Sequence, residues 1–316
     1  MAKRSRLYFV SDVHGSGKCF RKFLNGGPIY QADAMVLGGD LAGKAIQAIT
    51  RAPGGRFKFG FRGASYDLED GDELRAVEQL VGDHGYYPYR EEPGELTEIQ
   101  AAGKLDDLFF TLISERLRQW LDLADERLRP RGIPIFWMLG NDDPPELAAL
   151  LDSAPWGVHC EGRDVLVEGH EMISWGYANP TPWHTYREMS EDDLRSVFAR
   201  LAGELADAGS AIFNLHPPPY DTGLDEAPAL DENLQVQTSA GQAKMTAVGS
   251  HAVREALERF QPLLGLHGHI HESAGFRKIG RTLAINPGSD YGTGALNGVL
   301  VTLEPQKVKA YQFVRG

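Results

Sequence analysis

"RLYFVSDVHGSGKCFRKFLNGG", residues 6–27, holds three textures in one short stretch. Leu7 to Val10 is an unbroken apolar run, Ser11 to Ser16 is polar with a glycine, and Phe20, Phe23 and Leu24 then recur at helical spacing. A short continuous apolar run suits a strand buried on both faces, and the i, i+3, i+4 spacing suits a helix with one apolar stripe. The pair Gly26-Gly27 predicts the helix stop. Strand, polar loop and helix in that order form the repeating unit of an α/β protein.

The unit recurs along the chain. "ADAMVLGGDLAG" (32–43) puts a strand over Met35–Leu37 before Gly38-Gly39-Asp40, and "IPIFWMLGNDDPPELAALL" (133–151) runs from a strand through Gly140-Asn141-Asp142-Asp143 into a helix entered at Pro144-Pro145. "SAIFNLHPPPY" (210–220) ends its strand at His216, "PLLGLHGHIHE" (262–272) leads into clustered histidines, and "TLAINPGSDYG" (282–292) ends at Asn286-Pro287-Gly288-Ser289. Six apolar runs thus end in polar or glycine-rich loops, and in α/β folds ligands collect where such strand ends emerge.

Two regions break the rhythm. About a hundred residues separate Asp40 from Asn141, far more than an ordinary crossover needs. Within them, "GGRFKFGFRGASYDLEDGDE" (54–73) alternates like a hairpin, and "DELRAVEQLVGDHGYYPY" (72–89) reads as a helix plus an aromatic loop. "KLDDLFFTLISERLRQWLDLADERLR" (104–129) reads as one long amphipathic helix. The expectation is a single domain over 1–316, with 51–100 an insertion or cap within it. "NGVLVTLEPQKVKAYQFV" (297–314) predicts a terminal hairpin.

Bulk properties narrow the function. A formal net charge of −12 disfavours duplex nucleic acid, which requires a basic face. Cys19 and Cys160 match no paired-thiol spacing, which with the lack of a signal-like or membrane-length apolar run predicts a cytoplasmic protein with no membrane association. Lys3, Arg4 and Arg6 suit a solvated terminus.

The polar residues at the loop tips carry the chemistry: Asp12, His14, Asp40, Asn141, His216, His267 and His269. Asp12 with His14, and His267 with His269, stand two apart, so extended backbone projects each pair to one side. Carboxylate and imidazole donors together suit Mn, Fe, Zn, Ni or Co. Seven such groups exceed what one ion takes and fit two ions sharing a carboxylate.

D-x-H, G-G-D, G-N-D, an isolated His after a strand, and G-x-H-G-H, in this order, resemble the calcineurin-like metallophosphoesterase superfamily over about residues 7–290, the insertion excepted. The resemblance implies a four-layer α/β/β/α sandwich with two mixed sheets. It also implies two divalent metal ions, with Mn the first choice. Asp12, His14 and His269 would hold one ion, Asn141, His216 and His267 the other, and Asp40 would bridge them. A metal-bridging hydroxide would then attack phosphorus while the cations, roughly 3.5–4 Å apart, neutralise the phosphoryl oxygens.

Two departures matter. The family's third motif usually reads G-N-H-D or G-N-H-E, with the His protonating the leaving oxygen, whereas Asp142 stands there in this chain. A carboxylate beside two cations has a lowered pKa and donates poorly at neutral pH. His14 or Asp142 is therefore the candidate proton-handling residue. After Asp40 comes "LAGK" in place of the Asp-Arg-Gly of the Ser/Thr protein phosphatases, whose Arg clamps a dianionic monoester. That absence points to the phosphodiesterase branch.

Beyond the motifs, Asn141, Trp183 and His184 are candidate substrate contacts, the latter two on the turn-rich "YANPTPWHTYRE" (177–188). His271 is either an orienting residue or an exposed one, and Asn286, Gly288 and Ser289 read as a tight turn supporting the site. The reading is a metal-dependent phosphoesterase acting on a small phosphodiester, such as a nucleotide or cyclic nucleotide. The alternatives are a phosphomonoesterase or pyrophosphohydrolase on the same fold, a metal-holding binding protein with weak turnover, and a nuclease should the insertion form a basic groove.

Overall fold

A computed structural model describes residues 4–316. The chain begins β1 (Ser5–Val10), α1 (Gly17–Ile29), β2 (Ala34–Gly38). It then leaves the main body through β3 (Ala45–Arg51), β4 (Phe57–Phe61), β5 (Ala64–Leu68), α2 (Asp72–Asp83), β6 (Tyr86–Glu91) and α3 (Glu95–Ala101). It returns along α4 (Leu105–Leu128) to β7 (Ile135–Met138), α5 (Ala148–Asp152), β8 (Val158–His159), β9 (Val165–Val167) and β10 (His170–Trp175). Next come α6 (Glu191–Gly203), β11 (Ile212–Leu215), and the short pairs β12 (Glu226–Pro228) with β15 (Met245–Ala247) and β13 (Thr238–Ser239) with β14 (Gln242–Ala243). The last third holds α7 (His251–Phe260), β16 (Leu264–Leu266), β17 (Gly275–Ile279), β18 (Thr282–Asn286) and the terminal hairpin β19 (Asn297–Glu304), β20 (Lys307–Arg315).

Two six-stranded mixed sheets face each other, in the orders β20-β19-β1-β2-β7-β8 and β17-β18-β16-β11-β10-β9. The central pairs β1–β2, β2–β7, β10–β11, β11–β16 and β16–β18 are parallel, as is the edge pair β7–β8, and antiparallel strands close the other three edges. Alternation along each strand builds the layers. Leu7 and Phe9 of β1 point between the sheets with Val36, Met138, Ile212, Leu264 and Ile285. Tyr8 and Val10 point outward onto Phe20, Phe23 and Leu24 of α1 and Leu117 and Trp120 of α4. Phe213 and Leu215 do the same on the far side, against Phe198 of α6 and Leu257 of α7. The result is α/β/β/α. Each fully buried Leu or Phe contributes about 1.5–3 kcal/mol, which is why both faces of these strands are apolar without a polar period.

Three expectations need correction. Helix α1 does not stop at Gly26-Gly27 but runs on to Ile29. The glycines are there for closeness: a Cβ at Gly26 would meet the Tyr8 ring, and one at Gly27 would meet the Met35 sulfur. The expected aromatic loop "YYPY" is strand β6, paired in parallel with β3. It belongs to a separate four-stranded sheet, β5-β4-β3-β6, which starts at Ala45 and not at residue 51. That small sheet has its own apolar cluster of Ile49, Phe57, Leu68 and Leu74. A cavity of about 410 Å³ lies beside it between α2 and α4, lined in part by Arg21, Arg116 and Trp120.

Lys3 lies outside the described residues; Arg4 pairs with Glu304 at 2.9 Å. Both cysteines are free and buried. Among the described residues no helix is long and apolar enough to cross a membrane.

Candidate metal centre

Each parallel central strand delivers its polar residue to one edge of the sandwich. β1 ends at Asp12 and His14, β2 at Asp40, β7 at Asn141, β11 at His216 and β16 at the histidines 267–271. The backbone is bent hard to do this. Asp12, His14, Asp40 and His269 all have positive φ (57°, 38°, 52° and 66°), the left-handed region that side chains with a Cβ avoid. Such conformations cost of order 1–3 kcal/mol each and persist where the surroundings over-determine them, typically at functional sites. Loop-to-loop hydrogen bonds do the holding. Asp12 N–H donates to Gly39 O at 3.0 Å and His14 N–H to Asp40 O at 2.9 Å. The buried Asp143 carboxylate accepts from Leu41, Ala42 and Gly140 N–H, tying the β2 and β7 loops together.

The side chains form two clusters sharing Asp40. Asp12, His14, Asp40 and His271 place one ligand atom each within 4.8 Å of one another, as do Asp40, His216 and His269. Asp40 Oδ2 stands 3.5 Å from His14 Nε2 and 3.4 Å from His216 Nε2. Asn141 Oδ1 is 3.1 Å from His216 Nε2, and its amide Nδ2 donates to Thr185 Oγ1 at 3.0 Å, which sets the oxygen toward the cluster. Thr185 Oγ1 donates in turn to Glu188 at 2.9 Å. Asn286 Nδ2 donates to Gly268 O and Ile270 O, and Ser289 Oγ donates to Asp12 O, so the Asn-Pro-Gly-Ser turn buttresses the histidine loop as the sequence suggested.

The histidine register differs from expectation. His271, not His269, joins Asp12 and His14: its Nε2 lies 3.0 Å from His14 Nε2 and 3.4 Å from Asp12 Oδ1. His269 falls beside His216, where His267 was expected. His267 lies outside both clusters, with Nδ1 2.7 Å from Leu215 O and Nε2 buried without a partner, 2.8 Å from where a Gly265 Cβ would sit. The extended-strand argument failed because the chain leaves β16 after Leu266 and turns left-handed at His269, so alternate positions stop sharing a side.

Trp183 is 64% exposed and His184 is exposed; the residue of their loop that reaches the cluster is Thr185. Behind it, Arg187 is buried, pairs with Glu161 and donates to Gly140 O at 2.9 Å, fixing the Asn141 loop. Lys44, passed over in "LAGK", places Nζ 2.9 Å from Asp142 Oδ2. Its signal was its position just after the Asp40 loop.

No family model matches the chain. An uncharacterized protein of Methanocaldococcus jannaschii is 27% identical over 150 residues, which is 47% of this chain and 61% of that protein, so the match spans less than two thirds of the relative. The solved structure of TT1561 of Thermus thermophilus superposes with a TM-score of 0.53 at 15% identity, covering 96% of this chain and 99% of that one. A second solved structure gives 0.55 at 14% identity over 99% of both chains. Near-complete coverage at such low identity is a likeness of fold, that of two facing mixed sheets between helical layers.

The electrostatics of the two clusters suit cations. Burial holds His14 neutral, its pKa pushed down to about 3, and holds His269 down to about 4, the ligating form of imidazole. Burial alone would raise Asp12, but the His271 hydrogen bond and the nearby His216 outweigh it and bring it to about 2. Asp40 is likewise held well below the usual range by His216 and His14 against the effect of burial. His216 goes up to about 9, Asp40 and Asp12 overcoming its desolvation. Burial, then Asp40, raise Asp142. Ionised carboxylates beside the neutral imidazoles of His14 and His269, with His14 Nδ1 buried and without a hydrogen-bond partner, fit divalent ions.

Proposed function

We propose that the protein is a dinuclear metal-dependent phosphoesterase acting on a small phosphoester, with a phosphodiester such as a nucleotide or cyclic nucleotide as the first candidate. The observation that carries it is the sharing of Asp40 between two clusters of ligand atoms, each within 4.8 Å. Asp12, His14, Asp40 and His271 would hold one ion; Asp40, Asn141, His216 and His269 the other. When bound, two such cations lower the pKa of a shared water and neutralise phosphoryl oxygens. The protein's own share is placement. Asp40 sets the spacing, Asn141 offers a neutral oxygen oriented by Thr185, and the positive-φ turns fix donor directions before any ligand arrives.

A second reading, phosphomonoester hydrolysis, is favoured by Lys44, which restores a cation beside the β2 loop where the monoesterase Arg was missed. The test is metal analysis of the purified protein followed by an aryl monoester, an aryl diester and a pyrophosphate with added Mn. About two ions per chain and faster diester turnover are expected. No hydrolysis of any of the three by metal-loaded protein would replace the enzyme reading with that of a metal-holding binding protein.

A further inference from the structure

Lys44 has no structural duty that explains its position. Its side chain is 53% exposed, and its partner Asp142 is only 20% exposed. A half-exposed pair of this kind adds little to stability. Its backbone, by contrast, is fixed with care. Gly43 N–H donates to Tyr87 Oη at 2.8 Å, and a Cβ on Gly43 would run into Gly85 O. Gly85 in turn leaves no room for a Cβ against His14 O and the Tyr291 ring. The inserted sheet is therefore clamped to the metal-site loops at the point where Lys44 emerges.

The ammonium faces the cluster. Its partner oxygen, Asp142 Oδ2, stands 2.9 Å from Nζ on one side and 3.9 Å from His14 Nδ1 on the other. Asp142 is held from three sides: N–H to Asp40 Oδ1 at 3.0 Å, Oδ1 accepting from Asn141 Nδ2 at 3.2 Å, and Oδ2 on Lys44. A cation anchored over a metal-ligand cluster by a fixed carboxylate, with half its surface open, is a ready donor to an incoming anion.

We propose that Lys44 binds the non-bridging phosphoryl oxygens of the substrate, that Asp142 is the positioning residue that aims it, and that the pair shifts selectivity toward phosphoryl groups carrying two negative charges. The proposal rests on the phosphoesterase reading for its substrate. It explains why an aspartate stands at position 142: its task there is to hold a cation, not to give up a proton.

The probe is inorganic phosphate, titrated calorimetrically into Mn-loaded wild type, Lys44→Met and Lys44→Arg, alongside rates on an aryl monoester and diester with one leaving group. Loss of a charged hydrogen bond predicts a phosphate Kd raised about ten- to hundredfold in Lys44→Met. Monoester kcat/KM should fall by a similar factor and diester kcat/KM by less than about threefold, with an unchanged melting temperature and partial recovery in Lys44→Arg. An unchanged phosphate Kd, or equal losses on both esters, overturns the proposal. So does Asp142→His raising turnover on poor leaving groups, since that would make position 142 the site of a missing acid. If wild type turns over neither ester, the phosphoesterase reading falls, while the phosphate titration still decides the role of Lys44.

Discussion

His267, His269 and His271 look equivalent on the page, yet their surroundings separate them. His267 is sealed against Leu215 O and β16, while His271 touches both His14 and Asp12. Replacing His271 by Ala should weaken Mn binding by about tenfold or more with little change in melting temperature. Replacing His267 by Ala should instead destabilise the fold by about 1–3 kcal/mol and leave metal stoichiometry intact. Calorimetric Mn titration and thermal melts on both variants check this, and the reverse pattern would restore the register first read from the sequence. At this scale residue types were legible because imidazole and carboxylate announce metal chemistry. Which imidazole points where was not, because that depends on one backbone φ at His269.

Among the elements, α4 was plain in the sequence, as a long apolar stripe predicts a long helix. Its partners were not. Trp120 stacks on Phe20 of α1 with ring centroids 4.2 Å apart, a contact across a hundred residues of chain. Trp120→Ala should cost about 3–5 kcal/mol in denaturant unfolding, with the Mn stoichiometry of the folded fraction unchanged. A loss under 1 kcal/mol would mean α4 is not part of the outer layer. The hairpin β4–β5 was legible from its alternation, whereas β6 was hidden because "YYPY" has a proline and its pairing partner β3 lies far back in sequence.

For the whole molecule, the buried histidines set a pH dependence. In the unfolded chain a histidine titrates near 6.5, but in the fold His14, His267 and His269 are depressed to about 3, 4 and 4 by burial. The unfolded state therefore binds protons first as pH falls, and the ion-free protein loses stability between about pH 6.5 and 4. Asp143, pushed up to about 7 by burial and Asp40, and Asp142, raised by the same two causes, work the other way over part of that window, two groups against three. His216, raised to about 9, adds stability below 6.5 that is lost as pH rises through 9. Chelator-treated protein should melt lower at pH 5 than at pH 7; a higher melting temperature at pH 5 would refute this account of the buried site.

The sequence alone determined that strands alternate with helices, that their C-terminal loops bear acids, an amide and imidazoles, and that the chain makes an excursion between Asp40 and Asn141. These are local properties, since apolar period and loop chemistry are written in neighbouring residues. Only the tertiary structure decided that Asp40 lies between two clusters, that His271 displaces His267, and that the excursion brings Lys44 to Asp142. Those facts belong to contacts between residues on different loops, far apart in the chain, and no local pattern sets the distance across a turn that bends at a single dihedral.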